Sequence, residues 1–118
     1  MGKAYTAAVR MTLRWSVPPG EAKPIVSALQ GLMALTRIEP GCAGCSVSSE
    51  MGSTTVVQYV EDWLTEEDLK RQLRSQRFSR LAELMERASA HPTVKFALPG
   101  RIRGLDYAEE VRRNISDN

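Results

Sequence analysis

Apolar and polar residues alternate in Ala8 to Trp15, with Val9, Met11, Leu13 and Trp15 set against Arg10, Thr12 and Arg14. This period of two predicts a half-buried first strand. Pro18-Pro19-Gly20 closes it, and from Glu21 the period changes: Ala22, Ile25, Val26, Leu29, Leu32, Met33 and Leu35 recur at three- and four-residue spacing. That spacing predicts an amphipathic helix ending near Arg37, where Glu39-Pro40-Gly41 stops it. Pro24 fits the first turn of such a helix, where amides have no intrahelical partner to lose. Cys42 to Ser49 reads as a second strand of small residues, Glu50 to Ser53 as a turn, and Thr54 to Trp63, rich in β-branched and aromatic residues, as a third strand.

Thr65-Glu66-Glu67-Asp68 places a capping hydroxyl three residues before a carboxylate, so a second helix begins there. Leu69 and Leu73 start its apolar stripe and Phe78, Leu81, Leu84, Met85 and Ala88 continue it to Ala90. Ser75 can cap a fresh turn between them, which predicts a kink or break. After His91-Pro92, Thr93 to Leu98 alternates again as a fourth strand, and Asp106 to Ile115 reads as a short terminal helix with Tyr107, Val111 and Ile115 on one stripe. The order β-α-β-β-α-β predicts an α+β, ferredoxin-like split βαβ fold, with an antiparallel sheet carrying its helices on one face. The uncovered face predicts a homodimer packed sheet on sheet, and the terminal helix can dock on the partner or on its own subunit.

At 118 residues the chain has the size of a single domain, with a core over about 7–99 and an extension over about 100–118. Sixteen basic against 14 acidic side chains leave a charge of +2, too small a surplus for nucleic acid as the main partner. No apolar run approaches the roughly 20 residues of a membrane span and no signal core opens the chain, so a cytoplasmic location is expected. The opening Met1 to Thr6 fits a loose myristoylation pattern, and Asn114-Ile115-Ser116 a glycosylation sequon; neither changes that expectation.

One histidine, His91, predicted in a loop, leaves no triad or multi-histidine metal site, and Glu61, Asp62 and the tyrosines remain as proton acceptors. Cys42 and Cys45, three apart on an extended strand, are expected about 10 Å apart on opposite faces, too far for a disulfide, and a zinc site would need two further ligands. Pro99 to Gly104 lacks the Lys-Ser/Thr pair and spacing of a phosphate loop.

Pro40-Gly41-Cys42 opening the second strand, the strand end Glu61-Asp62-Trp63, and Ser75 with Phe78 in the next helix resemble the antibiotic biosynthesis monooxygenase family, dimeric α+β barrels that include quinol and anthrone oxygenases. Members commonly show Gly-Cys with an aromatic three residues on, then Trp, then a His-x-x-Ser-x-His-Phe run. Gln72 and Arg77 stand here at the two histidine positions, Cys45 at the aromatic one, and Tyr59 where some oxygenases carry Asn. The resemblance implies oxidation of an electron-rich phenol or quinol by O2 without metal or flavin, in a pocket of aromatic walls and a few polar groups. Trp63 would stack on the ring, Tyr59 would hydrogen-bond a phenolate, Gln72 would orient, Arg77 would favour the anion, and Phe78 completes the candidate set for a small aromatic ligand. No catalytic residue is assigned, no cofactor is expected, and the replaced histidines equally suit a non-catalytic ligand-binding or regulatory dimer on the same scaffold.

Overall fold

The computed structural model describes residues 8–114; Met1 to Thr6 and Ile115 to Ser116, on which the myristoylation pattern and part of the sequon and terminal stripe fall, lie outside them. Strand β1, Val9–Val17, runs through the middle of the sheet, and α1, Pro19–Arg37, follows it. Strands β2, Cys42–Met51, and β3, Thr55–Trp63, form the hairpin. Helices α2, Glu66–Leu73, and α3, Gln76–Arg87, precede β4, Thr93–Leu98. A short β5, Arg101–Arg103, and α4, Leu105–Arg113, complete the chain. The sheet order is β2-β3-β1-β4-β5 and every pairing is antiparallel, the split βαβ arrangement with one strand added beside β4.

Three local expectations change. Helix α1 starts at Pro19, with Pro18 as its cap residue, so Pro24 falls in the second turn rather than the first and leaves its helical hydrogen bond unmade. Strand β5 was not expected: Pro99-Gly100 turns the chain back, with Gly100 at φ 74°, and β5 pairs with the end of β4. The third change is in β2. A bulge between Cys42 and Gly44 puts Cys42 opposite Trp63 and Cys45 opposite Glu61. Those partners share one face of β3, so the two cysteines also share a face, where unbroken alternation would separate them. Both thiols are free.

The break near Ser75 forms as the sequence indicates. The Ser75 hydroxyl donates to the Gln72 carbonyl at 2.6 Å and accepts from the Phe78 amide at 3.4 Å, ending α2 and starting α3 with one side chain. Helix α2 is capped by Thr65, whose hydroxyl oxygen accepts from the Asp68 amide at 3.1 Å.

The core lies between the sheet and the helices. Val9, Met11, Leu13, Trp15 and Val17 of β1 are all buried there, with Val57, Tyr59 and Trp63 of β3 and Phe96 and Leu98 of β4. Helix α4 covers the β4 end with Tyr107, Ala108 and Val111, and the Tyr107 ring lies 5.1 Å from that of Phe96. The extension thus docks on its own subunit. The opposite sheet face carries Arg10, Arg14, Gln58 and Asp62, with a bidentate Arg10 to Asp62 pair at 2.6 and 3.0 Å and Arg14 donating to Gln58 at 3.3 Å. Val60 is the buried apolar residue among them. Among the described residues no helix is long and apolar enough to cross a membrane.

Candidate active site

Strand parity brings Tyr59, Glu61 and Trp63 to the helix-facing side of β3, while Asp62 between them points to the open face and pairs with Arg10. Glu61 is a carboxylate in an apolar layer, opposite Met11 on one side and Cys45 on the other, and only 1% exposed. Three donors meet it. Tyr59 Oη donates to Oε2 at 2.7 Å, Trp63 Nε1 to Oε1 at 3.1 Å, and Gln72 Nε2 to Oε2 at 3.3 Å.

The outer shell comes from the helices. Gln72 stands in the last turn of α2 on the face it shares with Leu69 and Leu73, all three buried. Its Nε2 also donates to Thr36 Oγ1 at 3.1 Å, reaching the last turn of α1. Its Oε1 accepts from Arg77 Nε at 2.8 Å, and the Arg77 guanidinium continues to Glu39 at 3.1 Å. A continuous chain therefore runs from the partly exposed Glu39 and Arg77 through Gln72 to Glu61 and the two aromatics.

Electrostatics follow from burial. Removal from water pushes the Glu61 carboxyl above the usual carboxylate range, against the pull of its donors and of the Arg77 charge. Burial also raises the Tyr59 phenol, and the neighbouring Glu61 charge raises it further, so Tyr59 stays a protonated donor. Burial pushes the Cys45 thiol up to about 12 and raises Cys42 as well, leaving two neutral, unreactive thiols beside the cluster.

Four of the five sequence candidates, Tyr59, Trp63, Gln72 and Arg77, thus converge on Glu61. Phe78 does not. It lines a separate groove of about 520 Å³ between α3 and α4, with Ala82, Met85, Leu105 and Ala108, and the Arg112 guanidinium lies 5.7 Å over its ring. His91 is exposed at that groove's edge. A second groove of about 480 Å³ lies between α1 and α3, lined by Ala28, Gly31, Leu32, Leu35, Arg80 and Leu84 among others. Sequence reasoning counted Glu61 only as one of several proton acceptors, although its parity with Tyr59 and Trp63 was a usable signal. Thr36 and Glu39 carried no signal, because their roles depend on how α1 lies against α2 and α3.

An antiparallel sheet with its helices on one face and a polar cluster between the layers defines an α+β protein of ferredoxin-like topology. The chain belongs to the antibiotic biosynthesis monooxygenase family, whose pattern matches residues 8–84. A comparison with curated proteins finds no match. Among solved structures, the chain is similar to a conserved protein of Methanosarcina mazei Go1, with a TM-score of 0.67 and 22% identity over 78% of this chain and 92% of that one. It is also similar to PA3566 of Pseudomonas aeruginosa, with a TM-score of 0.66 and 18% identity over 81% and 97% of the two chains. A protein described as an antibiotic biosynthesis monooxygenase gives 0.64 and 18%, over 75% and 95%. At these identities the likeness is one of fold.

Proposed function

We propose that the chain is a cofactor-independent monooxygenase that oxidises a small phenolic or quinol-like molecule with O2, with Glu61 as the proton acceptor. Family membership supports the reaction class. The observation that carries the assignment to this site is the buried Glu61 carboxylate, held by Tyr59, Trp63 and Gln72 between sheet and helices. A carboxylate raised above its ordinary range by burial is a stronger base than one in water, and such groups concentrate at working sites.

The chemistry asks little beyond this. A dihydroxyarene reacts with O2 once deprotonated, so the site must take the proton, hold the ring and keep water out. In this reading Glu61 takes the proton, Trp63 supplies a flat wall, and Tyr59 donates to the substrate anion. None of the cluster residues lines the groove between α1 and α3, so in this reading the substrate enters there only when the two helices part beside Leu32, one helical turn before Thr36. The groove's volume of about 480 Å³ suits a small aromatic molecule. The working assembly is proposed to be a cytoplasmic homodimer, as the resemblance to dimeric α+β barrels implies.

One observation favours a second reading, a non-catalytic ligand-binding or regulatory dimer. The cluster is closed on itself: Glu61 is sealed, and among the described residues no buried side-chain nitrogen or oxygen lacks a partner. Oxygen uptake by metal-stripped protein, with a panel of quinols, naphthols and anthrones, separates the two. Uptake above the uncatalysed rate that is lost in Glu61→Gln and reduced in Tyr59→Phe and Trp63→Phe supports the oxygenase. No uptake across the panel, with quenching of tryptophan fluorescence by the same compounds, supports the binding protein.

A further inference from the structure

We propose that Arg77 and Gln72 are positioning residues: Arg77, anchored on Glu39, fixes the orientation of the Gln72 amide, and that amide presents its N–H to the Glu61 carboxyl beside Tyr59 and Trp63, favouring the anion over the acid. The consequence for catalysis rests on the role of Glu61 proposed above, but the positioning itself is a property of the resting protein. It also gives Arg77 a different part from the one its sequence position suggests, acting on the protein's own carboxylate rather than on a substrate anion.

A primary amide has a donor end and an acceptor end that exchange when it turns over. Arg77 settles which end faces which neighbour. Its guanidinium is always charged and can only donate, so the 2.8 Å contact from Nε requires the oxygen of Gln72 on that side. The amide nitrogen is then directed at Thr36 Oγ1 and Glu61 Oε2, at 3.1 and 3.3 Å. Turned over, the amide would set oxygen against carboxylate and N–H against guanidinium N–H, losing both contacts at once. Glu39 holds Arg77 from the other side at 3.1 Å, with Arg77 and Glu39 side chains 23% and 28% exposed. A solvent-touching ion pair is thereby coupled to a sealed carboxylate through one amide.

The other groups around Glu61 do not take over this part. On β3, Tyr59 and Trp63 donate but carry no charge, and Met11 of β1 stands directly opposite. On β2, Cys45 and Cys42 are neutral thiols, and Arg37 of α1 is turned to the Cys45 carbonyl at 3.0 Å. Thr36 of α1 is an uncharged acceptor for Gln72. Arg77 of α3 is the cation whose charge acts on Glu61 to favour its anion.

The test follows protonation of Glu61 by the infrared carbonyl band of its acid form in the full chain, the band being assigned by its loss in Glu61→Gln. Arg77→Met and Gln72→Leu are expected to raise the midpoint by roughly one pH unit, about tenfold in proton affinity. Glu39→Gln should raise it less. Arg77→Lys should recover only part of the shift, because lysine keeps the charge without the planar fork. A merely structural role would lower the melting temperature and leave the midpoint in place. Wild-type midpoints in both Arg77→Met and Gln72→Leu overturn the proposal, as does full recovery in Arg77→Lys. If Arg77→Met does not fold, Glu39→Gln and Arg77→Lys carry the test, and wild-type midpoints in both overturn it. The measurement needs no substrate: a shifted midpoint without oxygen uptake keeps the positioning chain and removes the oxygenase reading, and uptake without a shift does the reverse.

Discussion

Tyr59 Oη lies 2.7 Å from Glu61 Oε2, and both residues are 1% exposed. They are two residues apart on β3, so the strand's pleat alone puts them on the same side, and the helix layer then removes water from both. Each changes the other's chemistry. The phenol stabilises the carboxylate by donating to it, and the carboxylate's charge, added to burial, keeps the phenol protonated.

Removing the carboxylate is expected to cost more than removing any one donor. In Glu61→Leu, the Tyr59 hydroxyl, Trp63 indole and Gln72 amide lose a common acceptor inside the protein. Each orphaned donor is penalised, for a total on the order of 3 kcal/mol. Glu61→Gln keeps an acceptor oxygen, and its cost should be about 1 kcal/mol. Urea denaturation of the two variants checks the order; equal costs would mean that the donors do not depend on this acceptor.

The pH dependence has a definite sign. The native pKa of Glu61 lies above its unfolded value of about 4.3, so the native state takes up the proton first as pH falls. Stability from this group is fully present below the unfolded value and is lost as pH rises through the native pKa, where a buried charge must form. Glu66 and Asp68, held low first by hydrogen bonds from Tyr107 and Thr65, contribute in the opposite sense and lose stability as pH falls. Subtracting a Glu61→Gln profile from the wild-type profile cancels those slopes. The difference, wild type minus variant, should shrink as pH rises from about 4, and a flat difference would contradict the raised pKa.

The sequence carried the alternation of β1 and β4, the small-residue run of β2, the β-branched and aromatic content of β3 and the helical spacings with their break, because each depends on residues close in the chain. Ser75 was legible as a break since one hydroxyl serves both helix ends locally. What failed to show depends on distant pairing. The β2 bulge that turns Cys42 and Cys45 to one side is set by register against Trp63 and Glu61, and strand β5 exists because Phe96, Ala97 and Leu98 offer it an edge. The candidate set was legible in Tyr59 and Trp63, whose parity is local. The joining of Gln72 to Thr36 and of Arg77 to Glu39 required the packing of α1 against α2 and α3.

Gly41 shows why a glycine precedes Cys42. Its φ is 86°, and a Cβ there would collide with the Asp68 carboxylate, which accepts from Thr65 and pairs with Arg71 at the start of α2. Gly41→Ala should therefore cost about 2 kcal/mol or more, from backbone strain together with displacement of Asp68. If displacement matters, Asp68→Ala should reduce the penalty of Gly41→Ala in a double-mutant cycle, whereas pure strain would give additive effects.

The extension beyond β4 belongs to the subunit's own core, and its removal should show this. Tyr107, Ala108 and Val111 are buried, Tyr107 Oη donates to Glu66 at 2.6 Å, and Arg112 donates to the Leu73 carbonyl at 2.5 Å, tying α4 to α2. Tyr107→Phe keeps the ring against Phe96 and loses one hydrogen bond, for about 1 kcal/mol. Truncation after Gly104 also uncovers Phe96, and should cost about 4 kcal/mol from the lost apolar contacts. The loss should be independent of protein concentration, because the contacts are made within one chain. A cost that vanished on dilution, with a matching change in sedimentation, would instead place the helix across a subunit interface.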